Sequence, residues 1–146
     1  MIKQYRGLAI AVLISSSLIL IGAGHGVGPM IVFQVMLPFV NEGGYKLSFS
    51  LSNSYENSIA SSALILFIGQ LLLFIATHKE HIITRLIALF IMWTALFFLT
   101  HDIFNGDSLA EFTFGSASPF LILSIALFSF DVKQYWQRDK IDIEHE

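Results

Sequence analysis

An uncharged apolar run over residues 8–40 restricts this chain more than any other feature. It contains no Asp, Glu, Lys or Arg, and only His25 and Gln34 are strongly polar. As one straight helix it would be about 50 Å long at 1.5 Å per residue, against a bilayer hydrocarbon core of about 30 Å. It must therefore tilt, protrude or break. Gly22-Ala23-Gly24-His25-Gly26-Val27-Gly28-Pro29 supplies the break. Pro29 removes a backbone donor and clashes with the carbonyl four residues earlier, and Gly26 and Gly28 weaken a helix just ahead of it. A first membrane helix is expected over about residues 8–27. A short apolar segment, residues 30–40, then lies in the interface or dips back against the bundle as a re-entrant segment, stopped by Pro38 and Asn41. Irregular backbone at that depth has to be covered by protein, because lipid offers it no hydrogen bonds. The competing reading is a cleavable secretory signal with small residues at Gly22 and Gly24. The apolar run continues past that cut, which disfavours it.

The remaining composition agrees with an integral membrane protein: 55% of residues are hydrophobic and 13% charged, far from a soluble average. Cysteine is absent, which excludes disulfides, thiolate catalysis and thiolate-held metal clusters within this chain. The formal net charge of −3, without a dense basic run, gives no reason to expect nucleic acid as a partner.

Residues 41–57 form a polar loop, with Tyr45 and Tyr55 as interface anchors. A second span is expected over 59–76, with Asn57 and Ser58 as candidate caps, and a third over 82–100, joined by the short turn around His78 and His81. A second polar loop, residues 101–116, precedes a fourth span over 119–136. Ser118-Pro119 reads as its N-cap and first helical position, and Tyr135 and Trp136 as its aromatic belt. A charged tail, 137–146, follows. The expected fold is an all-α, four-helix, up-down membrane bundle. Lys3, Arg6, Lys79, Arg85, Lys133, Arg138 and Lys140 fall at one set of span ends, and only Lys46 at the other. Basic residues are retained on the cytoplasmic side, so both termini are expected inside, in a bacterial-type inner membrane, with both longer loops outside.

Counting rise per residue puts His25 about 27 Å above Gly7 and His101 about 24 Å above Arg85, both near the outer boundary. Glu42, Glu56, Asp102, Asp107 and Glu111 lie on the same side. Neutral imidazole binds transition metals and haem iron and commonly passes its other N–H to a carboxylate or carbonyl. His25, His101, Asp102 and Glu56 are therefore the candidate metal ligands, and His25 and His101 the candidate cofactor-binding pair for haem, a metal or a quinone head group. Against this stands a structural reading, in which His25 caps the broken end of helix 1 and His101 sits in the head-group layer. No cofactor is required by the sequence. Gly22, Gly24, Gly26 and Gly28, with Pro29, read as structural, the glycines at small-xxx-small spacing that brings helices close. Ser15, Ser16, Ser17, Ser61 and Ser62 read as interhelical glue, and Gln70 as a polar group facing another helix. His78 and His81 read as a solvated turn.

With four spans, both termini inside and a polar loop after the third, the layout resembles the DoxX-like small membrane proteins, some of which are associated with quinone-linked redox systems. Three functions follow as expectations. The first is a non-enzymatic accessory or assembly protein, able to form a homo-oligomer or join another membrane protein. The second is a DoxX-like redox-associated or ligand-binding protein with its site at His25 and His101. The third is an oligomeric channel or carrier, with Gln70 and the serines lining a path.

Overall fold

The computed structural model describes residues 2–23, 26–39 and 46–143, and side chains within 5–137 of these. Six helices and one two-stranded hairpin account for most of it: α1 (Ile2–Ser17), β1 (Leu20–Ala23), β2 (Gly26–Pro29), α2 (Met30–Met36), α3 (Tyr55–Lys79), α4 (Ile82–Thr100), α5 (Ser108–Ser116) and α6 (Ser118–Ile143). Short 3-10 turns cover Leu37–Phe39 and His101–Asn105.

Two long apolar helices dominate. α3, and α4 with the turn that follows it (Ile82–Asn105), are each long and apolar enough to cross a membrane, and α5 with α6 is a third such unit if the bent pair counts as one span. α3 begins four residues earlier than the expected span, with Ser54 rather than Asn57 or Ser58 at the N-cap position. Ser58 instead donates to the Ser54 carbonyl. α3 ends on Glu80, a non-glycine residue at φ 60°, whose carboxylate meets Arg6 at 2.8 Å. This left-handed cap turns the chain into α4 within two residues. The two helices approach most closely at Gly69. A Cβ there would stand 2.6 Å from Met92 Cγ, 3.2 Å from Met92 N and 3.3 Å from the Ala88 carbonyl oxygen. Hydrogen is the side chain this crossing accommodates.

The expected helix to Val27 stops at Ser17, and the glycine-rich stretch is a β-hairpin. Leu20 pairs with Pro29, Ile21 with Gly28, Gly22 with Val27 and Ala23 with Gly26. The helix-packing reading of the alternating glycines is corrected accordingly, since Gly22, Gly26 and Gly28 lie in strands, while Gly24 and His25 fall outside the described residues. The physical reason is register. Met30 N donates to Ile19 O at 2.8 Å, so, by the alternation of antiparallel pairs, Leu20, Gly22 and Pro29 occupy positions whose N–H side faces away from the partner strand. Pro29 costs the ladder nothing there. It then precedes α2 with an extended backbone, φ −71° and ψ 149°. The residue expected to end a helix therefore starts one.

The second polar loop is also more ordered than its composition suggests, because residues 108–116 form α5. Asp107 caps it, Oδ1 accepting from Leu109 N at 2.8 Å and Ala110 N at 3.2 Å. α6 follows after a 50° bend. Ser118 does not act as an N-cap, since its hydroxyl donates back to the Gly115 carbonyl at 2.7 Å. α6 continues through the stretch expected as a tail, to Ile143. α1 packs on α3 and α6, and α4 packs on the same two helices, so the four make a ring with α1 facing α4 across its centre. α2 lies against α3, beside α1.

Candidate functional site

Three polar clusters sit at successive levels along this ring, and each ties elements that are distant in sequence. The first is near the α3–α4 turn. Arg85, one turn into α4, is buried with Asp131 of α6 at side-chain exposures of 1% and 0%. The contact is bidentate, Nε to Oδ2 at 3.1 Å and Nη2 to Oδ1 at 2.5 Å. The Tyr5 ring of α1 covers the guanidinium, 4.5 Å from centroid to Cζ. A planar fork on a carboxylate with its face on an aromatic ring is the arrangement that suits arginine and not lysine. Arg85 was expected at the aqueous boundary with the other basic residues; instead it is the hub joining α1, α4 and α6. The sequence held one signal for this, a carboxylate, Asp131, at the edge of the apolar run of α6, which calls for a cation from another helix.

The second cluster is centred on Gln70. By helical rise it stands about 22 Å from Tyr55 and about 13 Å from Lys79 along α3. Its amide nitrogen donates to Ser16 Oγ at 2.8 Å and Ser17 Oγ at 3.2 Å, and its oxygen accepts from Gln34 Nε2 at 2.9 Å. Both serines donate onward to the Leu13 carbonyl. Gln70 thus faces neighbouring helices as expected from sequence and fastens α1 and α2 to the middle of α3. Ser61 Oγ accepts from Ser48 N at 2.9 Å and donates to Ser48 O at 2.6 Å, seating the connection on the upper part of the helix.

The third cluster holds the hairpin. Ser116 of α5 accepts from Leu20 N at 3.0 Å, and its single hydroxyl hydrogen is shared between the carbonyl oxygens of Leu20 at 3.1 Å and Thr113 at 2.8 Å, so one hydroxyl meets both outward-facing backbone groups of Leu20. Tyr55 was expected as an interface anchor, but it is 1% exposed and its hydroxyl shares a 2.5 Å contact with Thr113 of α5.

Of the candidate ligands, His101 and Asp102 are adjacent at the end of α4. His101 Nδ1 lies 2.8 Å from the Phe98 carbonyl oxygen. Nε2 is buried without a hydrogen-bond partner among the described residues, 3.4 Å from Asp102 Oδ1. Asp102 Oδ1 also accepts from Asn105 Nδ2 at 3.2 Å. Glu56 is exposed on the first turn of α3. Among the described residues, no three His, Asp or Glu side chains come together as a metal site. His25 and Glu42 lie outside the described residues. His78 and His81 are both exposed at the α3–α4 turn.

The clusters can do two kinds of chemistry. Arg85 with Asp131 forms a closed, charge-compensated pair, and Gln70 and Ser116 act as fixed hydrogen-bonding bridges. The His101 ring, with Nδ1 directed at a carbonyl, presents Nε2 as an acceptor or ligand atom. Comparison of the chain with protein-family models, curated proteins and solved structures finds no match.

Proposed function

We propose that this chain is a small multi-pass protein of a bacterial-type inner membrane, with both termini cytoplasmic, that acts without catalysing a reaction, as an accessory or assembly subunit. One observation carries the reading: the deep polar side chains just described bridge elements of the same bundle instead of converging on a shared cavity. Arg85 joins three helices, Gln70 joins another three, and Ser116 occupies the exposed backbone of the hairpin. Polar groups in hydrocarbon are costly unless satisfied, and Arg85, Gln70 and Ser116 are satisfied by contacts that hold the fold. The surface left for recognition is the apolar exterior, where Phe67, Phe74, Phe90, Phe97 and Ile122 are exposed.

In this reading the bundle has four crossings, with α1 and β1 together forming the first. The hairpin return and α2 make a re-entrant segment, and its backbone is covered by α3 and α5 as the bilayer requires. The test combines crosslinking in native membranes with flux measurements on protein purified in mild detergent and reconstituted in vesicles. Photo-crosslinkers at Phe74 or Phe97 should give one discrete product in native membranes, and vesicle proton and potassium flux should match protein-free controls. Flux above the controls would sink the accessory reading in favour of a channel or carrier.

A second reading, a ligand-binding or DoxX-like redox-associated protein with an outer-leaflet site, is favoured by the buried Nε2 of His101, which has no hydrogen-bond partner among the described residues. A visible chromophore or stoichiometric metal in the purified protein, lost in His101→Ala with the fold retained, would establish it over the first.

A further inference from the structure

The outer face of α6 carries a groove of about 560 Å³ lined by Phe128, Ser129, Val132, Lys133, Trp136 and Gln137. These residues form two rows at four-residue spacing, 128/132/136 and 129/133/137, so the groove runs along the helix between adjacent ridges. Its level follows from the ion pair. Asp131 is bonded to Arg85, one turn inside the start of α4. Lys133 is about 3 Å and Trp136 about 7.5 Å further toward the α3–α4 turn. Phe128 and Val132 therefore lie on the apolar side of the boundary, Lys133 at it, and Trp136, 67% exposed, just beyond it. Lys133 is exposed and forms no ion pair among the described residues. The Ser129 hydroxyl already donates to the Ile125 carbonyl, so the free cationic donors of the groove are those of Lys133.

We propose that this groove is a binding site for an anionic phospholipid, one acyl chain lying along Phe128 and Val132 and the phosphate held by Lys133 beside the Trp136 ring. A second copy of the chain fits it poorly. Copies in one membrane share an orientation, so a two-fold axis runs along the membrane normal and sets each residue against itself at equal depth. A dimer through this groove would press Lys133 against Lys133 where solvent screening is weak, whereas an anionic headgroup neutralises it. The inference requires the chain to sit in a bilayer and goes beyond the accessory role, so a negative crosslinking result leaves it standing.

The test uses the two tryptophans. In Trp93→Phe protein, fluorescence reports Trp136 alone. The protein is placed in phosphatidylcholine vesicles containing equal mole fractions of either brominated phosphatidylglycerol or brominated phosphatidylcholine. Quenching should show an association constant about five-fold higher for the anionic lipid, the value of one basic residue near the surface, falling to about one-fold in Lys133→Gln. Native mass spectrometry of the otherwise unaltered protein should show retained phosphatidylglycerol that Lys133→Gln loses, which covers the case in which Trp93→Phe disturbs the fold. No preference in quenching and no retained lipid would overturn the proposal. So would a preference that Lys133→Gln leaves unchanged, or a Trp136 shielded from every brominated lipid by a second copy.

Discussion

Asp131→Ala is the most informative single change, because it removes half of a pair whose two members are almost wholly buried. With the carboxylate gone, the Arg85 guanidinium loses two charge-assisted hydrogen bonds and keeps the Tyr5 face, which is worth far less than an opposite charge. Breaking a buried pair by removing one partner costs about 3–5 kcal/mol, while replacing both by apolar groups of similar volume is often neutral. Asp131→Ala should therefore lose about 3–5 kcal/mol, and Arg85→Met with Asp131→Leu should come within about 1 kcal/mol of the unaltered protein. The assay is reversible unfolding by denaturing detergent in mild-detergent micelles, followed in a Trp136→Phe background by the fluorescence of Trp93, which packs between α4 and α6 through Ser124 and Phe128. A cost below about 1 kcal/mol for Asp131→Ala would mean that the guanidinium reaches water, and the hub assigned to Arg85 would be wrong. A double variant as unstable as the single one would locate the loss in packing instead of uncompensated charge.

Gln70→Leu should cost about 2 kcal/mol, from three interhelical hydrogen bonds each worth about 0.6 kcal/mol in a membrane setting, and should speed hydrogen exchange in α2, the element those bonds retain. Ser116→Ala strands the backbone of Leu20 and should cost about 1–3 kcal/mol, with exchange rising in β1 and not in α4. Gly69→Leu should prevent α3 and α4 from meeting, since the obstacles include backbone atoms at 3.2 and 3.3 Å; loss of the folded monomer on size exclusion checks it, and normal elution would refute the close crossing. A reporter fused after Glu146 should read cytoplasmic and one inserted at Ser52 external, as the basic residues at the span ends require; the opposite pair of results reverses the topology.

The membrane character of the chain, the two long helices α3 and α4, their short turn and the inward-facing Gln70 were all determined by residue order, because a bilayer imposes length and polarity rules that a linear sequence obeys directly. Tertiary structure alone decided the rest. Residues 20–27 read as the end of an apolar helix, although periodicity cannot separate helix from strand in so short a run. The decision came from Ser116, more than eighty residues downstream, which supplies the hydrogen-bonding partner that lipid would not. Arg85 likewise looks interfacial in sequence, since position near a span end says nothing of which way a side chain turns. Its burial follows from Asp131 arriving on α6 and Tyr5 on α1. The candidate site was legible only as residue types: His101 and Asp102 are neighbours because they are adjacent in the chain, whereas any meeting of Glu56 with them depended on how the ring of helices closed, and Glu56 is left facing outward. Local chemistry specifies an element when its partners lie within the element, and these partners lay on other helices.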